Sequence, residues 1–221
     1  MNIEQARFNM IEQQIRPWDV LDLDVLDLLA IVKREDFVPA AYKSLAFMDT
    51  EIPLPGGEVM LTPKLEARLL QEVAVKRHEN VLEIGTGSGY MAALLAYKGR
   101  HVTTVEISPE LKALAEKNLH DNQISNVTVV LGNGAQGWSG SGNHSAPYDV
   151  IVISGSLPFL PPAFLEQIKV GGRIAAIVGE APIMRAQLIT RVSDTSFDTV
   201  TLFETSVKPL REASMPSQFK F

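Results

Sequence analysis

The segment from Val81 to Tyr90 reads VLEIGTGSGY and places three glycines and an acidic residue, Glu83, in one short stretch. Glycines tolerate positive φ and have no Cβ, so a ligand can approach the backbone closely. Their spacing is G-x-G-x-G, whereas the dinucleotide fingerprint is G-x-G-x-x-G, and a carboxylate beside it would repel a pyrophosphate. S-adenosylmethionine, which carries an ammonium and a sulfonium but no phosphate, fits better. The predicted contacts here are Glu83, Gly85, Thr86, Gly87, Ser88 and Gly89.

Two further positions lie at or just after the ends of the next predicted strands. Glu106 lies 21 positions after Gly85 and is followed by Ile107, where a carboxylate can accept hydrogen bonds from ribose hydroxyls. Asn133 and Gly134 follow the third strand at the depth of an adenine ring, and the Asn133 side chain can accept a hydrogen bond from the adenine amino group. Each of these residues could instead have a purely structural role. The glycines could form only a tight connection, Glu106 could be only a charge at the end of a strand, and Asn133-Gly134 could form a type I′ turn.

These residues need a sheet to hold them, and the pattern after residue 80 predicts one. Short, almost wholly apolar runs alternate with helical stretches, as in parallel sheets covered on both faces. Ser108 is the predicted N-cap of a helix that begins at Pro109. We predict an α/β fold, a doubly wound, mostly parallel, Rossmann-like methyltransferase sheet. The predicted strands are 81–84, 102–107, 127–131, 150–153 and 173–178, with an antiparallel edge at 187–192 and 200–205, and the predicted helices are 90–97 and 109–120.

The first 80 residues have a different pattern. Helical periodicity covers residues 3–15, 20–32 and 62–75. Between the last two lies the stretch of residues 49–61, whose two prolines and two glycines predict a long irregular loop covering a site. We therefore predict one domain over residues 1–221, in which residues 1–80 form a helical region with a covering loop and residues 81–221 form the cofactor-binding core.

The composition narrows the class of protein. Hydrophobic residues make up 46% and charged residues 21% of the 221 residues, which is typical of globular proteins. The net charge of −6 and the absence of a basic stripe argue against a nucleic acid partner. There is no cysteine, and the four histidines show no ligand spacing, so no metal site is expected. No apolar run approaches ~20 residues, and the N-terminus lacks an export pattern, so we expect a cytoplasmic protein without a membrane partner.

Six motifs occur in order along the chain. They are MIEQQIRP at 10–17, REDFVP at 34–39, the glycine segment at 81–90, GNG at 132–134 through GW at 137–138, PPAFLEQIK at 161–169 and GGR at 171–173. This ordered set resembles the motifs of the protein-L-isoaspartate O-methyltransferase family. The resemblance implies a cytoplasmic, usually monomeric enzyme that uses S-adenosylmethionine and releases S-adenosylhomocysteine. Its substrate would be a damaged protein or peptide, methylated on the α-carboxylate of an isoaspartyl residue.

The chain departs from the family in two places. Asn133 stands where the family usually has aspartate, and Asn keeps an acceptor oxygen. The family's loop pattern Gly-Gln-Thr-Ile-Ser-Gln-Pro corresponds here to residues 57–63, which places Leu61 at the serine position and Val59 at the threonine position. A carboxylate buried without donors is costly, so weak or absent isoaspartyl methylation is predicted. The candidate replacement donors are Thr62, which is also a candidate N-cap for the helix at Pro63, Ser154 and Ser156.

Three functional hypotheses remain open from the sequence. The first is an isoaspartyl methyltransferase with a rebuilt acceptor loop. The second is a methyltransferase of the same scaffold that acts on a different, less polar acceptor. The third is a cofactor-binding relative without turnover, which ranks last because the glycine segment and Glu106 are intact.

Overall fold

A seven-stranded sheet forms the centre of the protein, and the computed structural model describes residues 2–215. The five strands from β3 to β7 are parallel, and β8 and β9 extend the edge in antiparallel fashion. The order β5-β4-β3-β6-β7-β8-β9 reverses at β3, so a crevice is expected at the carboxyl end of this strand. The strands are β1 (Ile52–Pro53), β2 (Val59–Met60), β3 (Asn80–Ile84), β4 (His101–Glu106), β5 (Val127–Leu131), β6 (Tyr148–Leu157), β7 (Ile168–Glu180), β8 (Ile183–Arg191) and β9 (Phe197–Thr205).

The helices lie close to their predicted positions. The first predicted helix is divided, since its α-helical part is followed by a π-helical turn over Ile11–Ile15. The Ser108 hydroxyl accepts a hydrogen bond from the Leu111 N–H at 3.4 Å, which confirms the predicted N-cap. Within residues 2–215, no helix is long and apolar enough to cross a membrane. The helices are α1 (Ile3–Met10), α2 (Leu23–Ile31), α3 (Pro63–Val73), α4 (Tyr90–Lys98), α5 (Pro109–Asp121) and α6 (Pro162–Glu166).

The two faces of the sheet bury different parts of the chain. Val81 and Val150 face a cluster that includes residues of α1 to α5, whereas Leu82 and Ile151 face a second cluster with Phe164 of α6. Consecutive strand residues point to opposite faces, which is why residues 81–84 and 150–153 are apolar apart from Glu83. The doubly wound, mostly parallel sheet is therefore confirmed. The N-terminal helices share the first cluster with the sheet, and the single-domain organisation stays a prediction.

The stretch at residues 49–61, predicted as an irregular loop, is instead a short hairpin. Ile52 pairs with Met60 and Pro53 with Val59, so that β1 and β2 are antiparallel. Gly56 and Gly57 form the tip, at φ of +69° and +75°. Strands of two residues are too short to show an alternating pattern, and the prolines and glycines indicated a loop.

A buried arginine joins the N-terminal region to this hairpin. The Arg34 side chain is fully buried, forms an ion pair with Glu66 of α3, and donates a hydrogen bond to the Leu61 carbonyl at 2.6 Å. Its guanidinium also lies 5.1 Å from the ring centroid of Tyr90 on α4. Because Arg34 contacts α3, α4 and the end of the hairpin, it fixes where the backbone of Leu61 lies.

Candidate active site

A cavity lies at the carboxyl ends of β3, β4 and β6, beneath the hairpin of β1 and β2. The empty space inside it, including its open mouth, is about 660 Å³. Four regions surround it: the hairpin, the turn after β3, the residues after β4 and β5, and a C-terminal segment. Its lining consists of Glu58, Val59, Leu61, Ile84, Gly85, Gly87, Val105, Glu106, Ile107, Leu111, Gly132, Asn133, Gly134, Ala135, Ser154, Gly155, Lys208, Pro209, Leu210 and Arg211.

The glycine turn has a backbone that other residues would not readily adopt. Gly85 has a φ of +92°, and its N–H donates to the Val105 carbonyl at 2.9 Å. A Cβ on Gly85 would lie 3.2 Å from both the Leu210 side chain and the Ser154 carbonyl oxygen. A side chain here would therefore be strained and would intrude between β3 and β6. Gly87 also lines the cavity, whereas Thr86, Ser88 and Gly89 lie behind the turn and are not among its lining residues.

The carboxylate of Glu106 holds the glycine turn in place. One oxygen accepts from the Gly87 N–H and the other from the Ser108 N–H, both at 2.9 Å. A carboxylate offers about four acceptor positions, so two remain for hydroxyls of a ligand. Glu106 is 5% exposed and lines the cavity together with Ile107. The end of β4 thus supplies acceptors at the position that the sequence predicted.

Glu83 needs a correction. The sequence predicted that its carboxylate contacts the cofactor, but the side chain is fully buried and is not among the residues that line the cavity. It accepts hydrogen bonds from the hydroxyls of Thr104 at 2.8 Å and Ser154 at 2.9 Å. Burial raises its pKa to about 8, above the usual carboxyl value. Glu83 therefore fixes the orientation of Ser154, which does line the cavity.

This raised pKa leads to a prediction about stability. Between about pH 4.5 and 8 the folded protein holds the Glu83 proton and the unfolded chain has lost it, so stability falls as pH rises. Glu83→Gln should reduce the slope of the free energy of unfolding against pH by at most ~1.4 kcal/mol per pH unit, as expected for one proton. Urea unfolding at several pH values measures this slope. The exposed change Glu110→Gln should leave it unaltered, and an unaltered slope in Glu83→Gln would contradict the prediction.

The turn after β5 forms another wall of the cavity. Asn133 accepts from the Ala135 N–H at 2.9 Å and donates to Glu212 at 2.8 Å. Neither Asn133 nor Gly134 has positive φ, which excludes the type I′ turn. A Cβ on Gly134 would lie 2.7 Å from the Ile84 side chain. This glycine therefore keeps the turn close to β3.

The predicted acceptor residues are only partly brought together. Val59 and Leu61 line the cavity, as does Ser154, whose hydroxyl is bound to Glu83. Ser156 is fully buried and its hydroxyl donates to the Val207 carbonyl at 3.1 Å. This hydroxyl is therefore not available to donate a hydrogen bond to the methyl acceptor. Thr62 holds the N-cap position of α3, but its side chain makes no capping hydrogen bond and is not among the lining residues.

The cavity is also lined by a C-terminal segment, residues 208–211, and by Glu58 of the hairpin, none of which was predicted from the sequence. Leu210 packs against Gly85 and Gly155, while Lys208 and Arg211 reach the hairpin. Nothing in the local pattern around residue 208 indicated a site, because the segment is far from the glycine turn in the chain. The one available signal was Glu58, which stands at the glutamine position of the family's loop pattern.

The sheet order, the glycine turn after β3 and the carboxylate at the end of β4 together define a Rossmann-like, S-adenosylmethionine-dependent methyltransferase. Comparisons with known proteins give the family. Residues 5–213 match the sequence model of one family, which is described as Protein-L-isoaspartate(D-aspartate) O-methyltransferase (PCMT). This chain belongs to that family.

Individual relatives agree over most of the chain. A protein-L-isoaspartate O-methyltransferase from Koribacter versatilis is 37% identical over 185 residues, which cover 84% of this chain and 81% of that protein. A protein-L-isoaspartate O-methyltransferase 2 from Marinobacter nauticus is 34% identical over 210 residues, covering 95% and 94%. A solved structure of a protein-L-isoaspartate O-methyltransferase matches with a TM-score of 0.78 and 26% identity. That match covers 92% of this chain and 65% of the other.

Proposed function

We propose that this chain transfers the methyl group of S-adenosylmethionine to the α-carboxylate of isoaspartyl residues in proteins or peptides. The observation that carries the proposal is that a single cavity joins the glycine turn and Glu106 to Val59 and Leu61 of the hairpin. These hairpin residues occupy the acceptor positions of the family's loop pattern. Family membership supports the reaction class. The monomeric state and the cytoplasmic location stay predictions.

The residues of the cavity fit the cofactor. Gly85 and Gly87 line the cavity without side chains, and the carboxylate of Glu106 keeps free acceptor positions for two ribose hydroxyls. Asn133 and Gly134 would lie against the adenine ring, with Ile107 beside the ribose. When bound, S-adenosylmethionine supplies an electrophilic methyl group on a positively charged sulfur. No metal is required for this chemistry.

The acceptor needs positioning more than it needs a base. An isoaspartyl carboxylate is already ionised at neutral pH, so the chain has no proton to remove. During methyl transfer the positive charge of the sulfonium and the negative charge of the carboxylate neutralise each other, and an environment of low dielectric favours this neutralisation. Val59, Leu61, Ile84 and Val105 give the cavity apolar walls. The reaction leaves a methyl ester and S-adenosylhomocysteine.

A second candidate function is methylation of a less polar acceptor on the same scaffold. It is favoured by one observation, namely that the two hairpin positions nearest the acceptor, Val59 and Leu61, carry no hydrogen-bonding side chain. The two candidates share the cofactor site and differ only in the acceptor. An acceptor assay therefore separates them, whereas cofactor binding does not.

The test combines calorimetry with a radiolabel assay. We expect S-adenosylhomocysteine to bind with a micromolar Kd, and label from S-adenosylmethionine to form a base-labile ester on an isoaspartyl peptide at a low rate. The matched control is the same peptide with an ordinary aspartyl residue, which should remain unlabelled. Cofactor binding without any peptide labelling would contradict the isoaspartyl proposal and favour the second candidate. Absence of cofactor binding would contradict both.

A further inference from the structure

The C-terminal segment, residues 208–211, is fixed to the sheet where the cavity opens. The Ser156 N–H donates to the Lys208 carbonyl at 3.1 Å, and the Leu210 N–H donates to the Ser156 carbonyl at 2.9 Å. A Cβ on Gly155 would lie 2.8 Å from the Leu210 side chain, so Leu210 fits into space that only glycine leaves. These contacts hold the backbone between Lys208 and Arg211.

Two basic side chains from this segment hold a carboxylate at the cavity wall. Arg211 Nε donates to one oxygen of Glu58 at 2.6 Å, and Lys208 Nζ lies 3.0 Å from the other. The same side chains donate to the carbonyls at the hairpin tip, Lys208 to Gly57 at 2.6 Å and Arg211 to Gly56 at 2.8 Å. A Cβ on Gly56 would lie 2.9 Å from the guanidinium, so the glycine permits this approach.

Both basic side chains keep unused donors. An ammonium has three N–H groups and a guanidinium has five. Lys208 uses two of three and Arg211 two of five in the contacts with Glu58 and the hairpin tip, which leaves one and three. Glu58 and Glu51 are carboxylates near these two positive charges, Glu58 in direct contact and Glu51 within electrostatic reach of Lys208. The unused N–H groups of Lys208 and Arg211 can therefore bind one more carboxylate beside Glu58.

We propose that Lys208 and Arg211 bind the carboxylate of the methyl acceptor, in place of the hydroxyls lost at Val59 and Leu61. The inference rests on the proposed function, since it names the residues that determine acceptor specificity at the same cavity. Lys208, Arg211, Val59 and Leu61 all line this cavity. Glu58 is an internal carboxylate that occupies part of the same donors and competes with the substrate.

The test measures binding of a short isoaspartyl peptide to the protein saturated with S-adenosylhomocysteine, by calorimetry. Lys208→Gln and Arg211→Gln should each weaken binding about fivefold, and the double change about twentyfold, because both side chains are partly exposed. Glu58→Gln should tighten binding about threefold. The matched control is Lys117→Gln on α5, an exposed lysine outside the cavity, which should have no effect.

A second peptide separates carboxylate recognition from a structural role. Its isoaspartyl α-carboxylate is replaced by a carboxamide, and its affinity should be the same in wild type and in both lysine and arginine variants. Equal losses for both peptides, or equal binding of the carboxylate peptide by wild type and variants, would overturn the proposal, as would no binding by wild type. If wild type methylates the peptide and the variants bind it as tightly as wild type, the proposed function stands and this inference is wrong. If the variants bind the peptide more weakly but wild type does not methylate it, Lys208 and Arg211 bind the carboxylate and the proposed function is wrong.

Discussion

Replacing Glu106 with glutamine should weaken binding of S-adenosylhomocysteine about a hundredfold. Both oxygens of this carboxylate accept backbone N–H groups, from Gly87 and from Ser108. An amide can accept at only one of the two positions, and its NH₂ group would face the other N–H. The glycine turn would lose a charge-assisted hydrogen bond, and the ribose hydroxyls would lose an ionised acceptor, each worth ~1.5–3 kcal/mol.

Calorimetric titration of wild type and Glu106→Gln measures this difference. The control is Glu110→Gln, which makes the same chemical change at an exposed position in the first turn of α5 and should keep the wild-type Kd. Thermal unfolding of both variants without ligand separates loss of affinity from loss of fold. A Kd for Glu106→Gln within about threefold of wild type would mean that this carboxylate does not contact the ligand.

Restoring the missing hydroxyls, with Leu61→Ser and Val59→Thr together, should raise kcat/KM for an isoaspartyl peptide about tenfold. Both side chains line the cavity, so hydroxyls there can donate to the acceptor carboxylate. A hydrogen bond to a charged group contributes ~1.5–3 kcal/mol. The buried Leu61 side chain is also lost, at ~2–4 kcal/mol of folding stability. Radiolabel kinetics below the unfolding temperature of the variant measure the gain.

The matched control is Leu61→Ala with Val59→Ala, which enlarges the cavity in the same place without adding donors. If the control gains as much activity as the hydroxyl variant, space and not hydrogen bonding limits the reaction. If neither gains, the acceptor is held elsewhere, as expected when Lys208 and Arg211 carry the whole interaction. The second candidate function predicts that neither variant methylates the peptide.

The sheet and the glycine end of the cavity could be predicted from the sequence, because these depend on short-range patterns. Strands β3 to β7 contain short runs rich in apolar and β-branched residues, and the turn after β3 contains three glycines, which tolerate positive φ. Glu106 is the last residue of a strand, and the ends of neighbouring parallel strands lie at one edge of the sheet. Strand periodicity was therefore enough to place it near the turn.

Which polar groups face the cavity depends on tertiary packing and could not be predicted from local sequence patterns. Glu83 belongs to the same motif as the glycines, yet it points into the core, since strand residues alternate between faces and its partners Thr104 and Ser154 come from two other strands. Lys208 and Arg211 reach the hairpin across about 150 residues of chain. Such contacts are set by packing of distant segments, which no local pattern in the sequence encodes.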